Sequence, residues 1–452
     1  MSKPSSMTEA VQTLRRWATS GTMSVVGGLA ASNILRIVST MVLTRLLTAD
    51  AFGVVSLITS VAFIFSMLSD IGTFSFIVRH PEHDARLLDE VWTLRLGRST
   101  LLTVVMALSS WPIALFLDKP MLQPVLAVWS LSFLLEGLSS LAFANAVRRG
   151  LLWRLSFFEL ATGLVSLALS VIFALVIGTY WALVIAGLIN AAIKAILSYT
   201  MFPDERRRLA FSRERAAEVW RFSRLIALSS IISMLLMQAD KLVFARVMPL
   251  SVFGMYAIAA NLALAPTALA SLYASRILFP VFSHHVRADR ASLSAVYYER
   301  QKIIPRLYTF AVGGLIGCAP LVVELLYDPR YRGVATFLSL LAISPMLMMT
   351  THIAEQALIA LGRVRATLSA NVGRILWLTV GGVIGFWFGG PYGLIAIVGT
   401  MEVAGILVFW WELSRVHLLD LRQEAVTLAA GGAGVVFGSL FSATILHLAG
   451  IS

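Results

Sequence analysis

Three cations stand one helical turn from an amide within apolar stretches: Asn33 with Arg36, Asn190 with Lys194, and Asn371 with Arg374. Spacings of three or four residues place each pair on one helix face. The cation can neutralise phosphate charge while the amide bonds sugar or phosphate oxygens, so such a pair could hold both at once. Lys241 and Arg276 complete a set of five basic residues inside hydrophobic segments. A charge at that depth costs about 2.5–3.5 kcal/mol on insertion scales, so it normally faces protein or a water-filled cavity. Arg36 and Lys194 fall nearest mid-depth; Lys241 and Arg276 fall near span ends, where a long side chain can snorkel. The same segments carry Asp70, Glu136, Glu159, Asp240, Glu355 and Glu402. They open a second reading, in which the cations are counter-ions of buried carboxylates. Glu136, Glu402 and Asp70 could instead bind a coupling H⁺ or Na⁺; no other cofactor is expected.

Other chemistries find little support. His80 and His83 lack a third ligand in register, and the adjacent His284 and His285 cannot easily face one metal ion. No glycine-rich loop of the GxxxxGK[ST] type is present. No serine, histidine and acid assemble in a loop on the outer side, and no such loop is large enough for a polymerase or ligase site. The chain is therefore not expected to be an enzyme. Cys318, the single cysteine, lies in an apolar stretch and reads as a small core residue.

The elements that must position these residues are membrane helices. The 452 residues are 58% hydrophobic and only 13% charged. Thirteen apolar stretches, each long enough to cross a bilayer core of ~30 Å, run nearly back to back. They are 21–44, 52–78, 96–117, 121–147, 155–178, 180–202, 225–245, 252–280, 307–327, 334–361, 366–388, 391–412 and 425–448. With the N-terminus inside, inner segments hold 26 Lys and Arg and outer loops five. This bias sets the orientation and explains the net charge of +12 without nucleic acid. The surplus would face anionic lipid headgroups. No cleavable leader is expected; Arg15, Arg16 and Trp17 suit an interfacial helix leading into the first span.

Outer loops such as 45–51, 118–120 and 389–390 are short and make neighbouring helices antiparallel. Residues 203–224, with seven arginines and interleaved Leu209, Phe211, Val219, Trp220 and Phe222, read as an amphipathic surface linker. It separates an N-terminal lobe of six helices (1–202) from a C-terminal lobe of six (225–415). A thirteenth, extra transmembrane helix (416–452), rich in Gly and Ala, lies outside that scheme; it would leave the C-terminus outside, or it is instead a peripheral or poorly packed helix. Segment 42–55 aligns without gaps to 243–256: Val42/Val243, Arg45/Arg246, Phe52/Phe253 and Gly53/Gly254 are identical. Both segments occupy the turn after the first helix of their half, which suggests parallel repeats. Pro112, Pro266, Pro320 and Pro345 allow kinks within spans.

RLLTADAFGVVSL (45–57) and LSDIGTFSFIVRH (68–80) resemble the first hairpin of bacterial polysaccharide and O-antigen flippases. Those proteins share a superfamily with multidrug exporters and the lipid II flippase. The likeness extends through 148–167, 178–199 and 222–266, then RILFPVFSHH (276–285) and ALIALGRVRATL (357–368). The resemblance implies an all-α polytopic protein of the bacterial inner membrane, with two lobes in a V and a central cavity opening alternately to each side. The passenger would be a polyprenyl-diphosphate-linked oligosaccharide, turned outward for polysaccharide or lipopolysaccharide assembly. Partners would be the bilayer, a polysaccharide polymerase and glycosyltransferases. An inside-negative potential favours outward movement of an anion by about 2.3 kcal/mol per charge per 100 mV. A cation-coupled multidrug exporter is the alternative within the class, though it would need acids to dominate the cavity.

Overall fold

The computed structural model describes residues 21–69, 76–77, 85–141, 143, 146–147, 151–202, 208–214, 216–219, 221, 238, 240–289 and 292–450. Asp70, the His80–His83 pair and residues 203–207, 215, 220 and 222–224 of the linker lie outside these residues. The described secondary structure is helical throughout, with no strand among the described residues. The chain divides into two compact units, Met1–Met234 and Leu235–Ser452.

In the first unit, α1 (Gly21–Leu46) and α2 (Ala49–Leu68) form a hairpin. α3 (Ala85–Phe116) follows, then two short helices, α4 (Leu122–Trp129) and α5 (Leu131–Leu138), hinged at Ser130. α6 (Leu152–Ile177) and α7 (Tyr180–Thr200) form the last hairpin, whose turn uses Gly178 in the left-handed region at φ 67°. Leu43, Leu47, Ala51, Ala174 and Ala182 pack together where these two hairpins turn. α3 starts eleven residues before the expected span at 96, so Arg95 as well as Arg98 lies on a helix. The expected span 121–147 is a broken helix with a shorter apolar run, Leu122–Leu138.

The second unit contains α8 (Leu250–Ala263), α9 (Thr267–Tyr273), a π-helical turn (Ala274–Leu278) and α10 (Phe279–Ala288). Next come α11 (Leu293–Gln301), α12 (Ile304–Gly317), α13 (Ala319–Leu326), α14 (Val334–Leu341) and α15 (Ile343–Ala360). α16 (Arg365–Leu376), α17 (Gly382–Gly399), α18 (Glu402–Ser414) and α19 (Leu421–Leu448) complete it. Proline marks three of its breaks: Pro266 between α8 and α9, Pro320 after the 67° bend into α13, and Pro345 in the first turn of α15. Pro cannot donate the helical hydrogen bond and so suits first turns. Within α17, Gly390 leaves helical geometry at φ 56°, and the chain folds back there. A Cβ on Gly385 would lie 2.8 Å from the Gly393 carbonyl oxygen, so the two arms run antiparallel at close range. This is the turn expected at 389–390.

Eight described helices are long and apolar enough to cross a membrane, or nine if a bent pair counts as one span. That is fewer than the thirteen stretches, because several spans are broken, the 391 turn merges two into one run, and 225–237 lies outside the described residues.

The internal repeat reappears in the backbone. Leu47 N–H donates to Leu43 O at 2.9 Å, and Met248 N–H donates to Phe244 O at 2.8 Å, at the same offset of 201. Thr48 and Pro249 then both cap the next helix in extended geometry. Leu43, Thr44 and Leu47 are buried, as are Phe244, Ala245 and Met248, while Arg45 and Arg246 are exposed.

The thirteenth helix is not peripheral. α19 lies against α12 along a seam of glycines, where a Cβ on Gly313 would stand 2.2 Å from Gly431 O and one on Gly434 2.1 Å from Phe310 O. Small residues let two helix backbones approach this closely. Cys318 sits at the same seam, its thiol donating to Gly438 O at 3.3 Å. At the other end Glu424, fully buried, accepts from Tyr297 Oη at 3.3 Å and Gln301 Nε2 at 3.1 Å.

Candidate functional site

A cavity of about 970 Å³ opens within the first unit, toward the end of the bundle where α2 stops and α3 and α6 start. Helices α2, α3, α5, α6 and α7 all contribute to its wall. Its volume is at the upper end of the ~300–1,000 Å³ typical of small-molecule sites. The charged residues lining it are Arg95, Arg98, Glu136, Glu159 and Lys194, with Asn190 beside them.

The two arginines are committed to helix ends. Arg95 Nη2 donates to Glu136 O at 2.8 Å and Ser139 Oγ at 3.0 Å, at the C-terminus of α5. Arg98 Nη2 donates to Ser66 O at 2.7 Å, and its Nε to Ser69 Oγ at 3.2 Å, at the C-terminus of α2. The last carbonyls of a helix lack intrahelical donors and carry partial negative charge, so a guanidinium is favoured there. These arginines hold the cavity's rim and raise its potential. Sequence reasoning had counted both among the loop cations.

The other three charges are not so committed. No hydrogen bond or ion pair holds the side chains of Lys194, Glu136 or Glu159 among the described residues. Asn190 is only 8% exposed, and its Oδ1 is buried with no hydrogen-bond partner. Thus the expected Asn190–Lys194 pair and Glu136 do come to one cavity, with Glu159. Aromatic faces complete the wall: Trp129, fixed by its packing on Gly187, and Phe158.

Arg36 and Asn33 sit on α1 and are bonded to one another, Nη2 to Oδ1 at 3.0 Å, at an exposed position. They do not line this cavity. Arg374 makes the same bond to Asn371 at 2.8 Å but is also paired with Glu402 at 2.7 Å. Thr351 Oγ1 adds a third bond to that carboxylate at 2.9 Å. Its guanidinium also stacks over Phe409, so Arg374 and Glu402 neutralise one another inside the second unit. For this residue the counter-ion reading holds, and neither it nor Glu402 is open to a ligand in this conformation. Lys241 Nζ bonds Gln238 Oε1 at 3.0 Å, and Asp240 takes the Tyr256 hydroxyl. Arg276 is exposed on the π-helical turn. No cluster of metal-ligating side chains occurs among the described residues.

Residues 42–336, more than half of the chain, match the model of a family described as polysaccharide biosynthesis protein. The chain belongs to that family. A lipopolysaccharide biosynthesis protein of Escherichia coli, WzxC, is 24% identical over 425 residues, covering 91% of this chain and 83% of its own. The succinoglycan biosynthesis transport protein ExoT of Rhizobium meliloti is 23% identical over 310 residues, covering 69% and 62%. Among solved structures, the lipid II flippase MurJ in an inward closed conformation superposes with a TM-score of 0.67 at 12% identity, over 94% of this chain and 99% of that one. A eukaryotic MATE transporter gives 0.56 at 14% identity, over 93% and 99%. At such identities the likeness establishes the fold, that of an all-α, multi-pass membrane protein. Within this polysaccharide biosynthesis protein, the cavity of the first unit is the polar site that the fold builds from predicted residues.

Proposed function

We propose that the protein is a flippase, moving polyprenyl-diphosphate-linked oligosaccharide units from the cytoplasmic to the outer leaflet for polysaccharide assembly. The observation that carries this reading is the cavity of the first unit, where Lys194, Glu136, Glu159 and Asn190 line a space of about 970 Å³, Glu136 beside Arg95 and Asn190 Oδ1 without a hydrogen-bond partner. The three charged side chains are exposed to that space, where water or a ligand can satisfy them, and the buried Asn190 Oδ1 is costly to leave unbonded. Family membership and the names of the relatives support the same reading. The lipid chain stays in the bilayer while the headgroup passes by alternating access. Arg36 and Lys194 contact the diphosphate–sugar headgroup; Arg276 and Lys241 serve as secondary contacts nearer the membrane faces. Arg374, with Asn371, acts through Glu402 to hold the second unit. The N-terminus faces the cytoplasm of a bacterial inner membrane, as the distribution of Lys and Arg requires. If transport is coupled to H⁺ or Na⁺, Glu136 is better placed than Glu402, which is paired; Asp70 stays a further candidate. A polysaccharide polymerase and glycosyltransferases act beside it.

The test is polymer export in cells whose own flippase is deleted. Wild-type protein restores export, whereas Arg36→Ala and Lys194→Ala, present at equal amount, do not. Full export by both variants contradicts the reading.

A further inference from the structure

The cavity's uncommitted groups are unevenly divided between donors and acceptors. Arg95 and Arg98 already donate to helix-end carbonyls and serine hydroxyls. Lys194 is then the one cation of the lining with no bond among the described residues, while Glu136, Glu159 and Asn190 Oδ1 all accept. A diphosphate offers acceptors only. It would satisfy Lys194 and leave Glu136, Glu159 and Asn190 Oδ1 without a donor. A sugar hydroxyl donates and accepts at once, and several on one ring can serve all four groups. Trp129, partly exposed, adds an apolar ring to the same wall, and an aromatic face can cover the C–H face of a pyranose.

We infer that the cavity formed by α2, α3, α5, α6 and α7 is a glycan subsite, in which Glu136, Glu159 and Asn190 accept hydroxyl protons of the sugar and Lys194 donates to a sugar oxygen. The inference rests on the flippase reading and assigns the two ends of its passenger to different places. The glycan enters this cavity. The diphosphate is met outside it, by cations such as Arg36 that do not line it. Glu136, Glu159 and Lys194 are exposed to the cavity, and a site that bonds a hydroxyl discriminates against a ligand that lacks it. These carboxylates therefore make the protein selective for the sugar.

The experiment uses full-length protein in proteoliposomes and two probes, a polyprenyl diphosphate bearing the oligosaccharide and the same lipid diphosphate without sugar. The variants are Glu136→Gln, Glu159→Gln and the double change, which keep shape and remove charge. The double variant is expected to slow movement of the glycan-bearing lipid about tenfold or more, while the bare lipid changes at most about twofold. Calorimetric titration with the free oligosaccharide gives a second readout independent of transport, with about tenfold weaker binding expected in the double variant. An equal loss for both probes overturns the inference, because a fold or ion-coupling role would not distinguish them. No loss for either probe overturns it as well. Wild-type protein that moves neither probe overturns the flippase reading itself.

Discussion

The two units treat the charged residues of their helices differently: several of those of the first face an open cavity, and several of those of the second are paired inside the unit. In the second, several charges are held by partners: Arg374 has Glu402, Arg363 has Glu412 at 2.8 Å, and Glu424 has Tyr297 and Gln301, although Asp240 Oδ1 and Glu424 Oε2 are buried without one. In the first, Lys194, Glu136, Glu159 and Asn190 line a cavity with no side-chain hydrogen bond or close ion pair among the described residues, Glu136 lying in the field of Arg95. The amide–cation pairs show the contrast most closely. Asn33–Arg36 and Asn371–Arg374 share one hydrogen-bond geometry, yet the first is exposed and the second is closed by a carboxylate. Pairing reduces the cost of removing charge from water. Unpaired groups are tolerated only where water or a ligand can reach them. The second unit is thus read as the stiff partner and the first as the receptive one.

This contrast can be broken most forcefully at Glu402. Its side chain is 3% exposed and that of Arg374 14%, so Glu402→Ala leaves a buried guanidinium uncompensated and should destabilise the second unit by about 3–5 kcal/mol. Thermal unfolding in detergent reads this, and an added Arg374→Met should restore much of the loss. Gly434→Leu comes next. It forces a side chain against Phe310 O and should cost about 1–3 kcal/mol, seen as protease cleavage near α19. Lys194→Ala should leave stability within about 0.5 kcal/mol, because no bond within the described protein is lost, while transport falls. Asn33→Ala is the smallest change. It removes one exposed hydrogen bond and should shift stability by less than about 0.5 kcal/mol, with a modest fall in transport.

Much of this was legible in the sequence, for definite reasons. The repeat at 42–55 and 243–256 is local, and the turn that it encodes keeps its hydrogen bond in both copies. The turn at 389–390 follows from adjacent glycines between apolar runs. Two of the three amide–cation pairs bond as their spacing requires, and the third brings both members to the cavity. Three things were hidden. The first turns of α3 carry Arg86, Asp89, Glu90 and Arg95, so their composition imitates a loop and conceals that Arg95 and Arg98 cap neighbouring helices. The Arg374–Glu402 pair joins separate helices, α16 and α18, which no periodicity reveals. The glycines of α19 look weak in isolation; only α12, more than a hundred residues earlier, shows that they permit close approach.

The account turns on whether the open groups of the first unit touch the passenger. The most direct measurement is translocation of a fluorescent lipid-linked oligosaccharide in proteoliposomes, by wild type and Lys194→Ala at matched amounts, alongside their thermal midpoints. The account predicts a rate at least about tenfold lower, the equivalent of ~1.4 kcal/mol, with an unchanged midpoint. An unchanged rate, or a rate that falls only together with the midpoint, would contradict it.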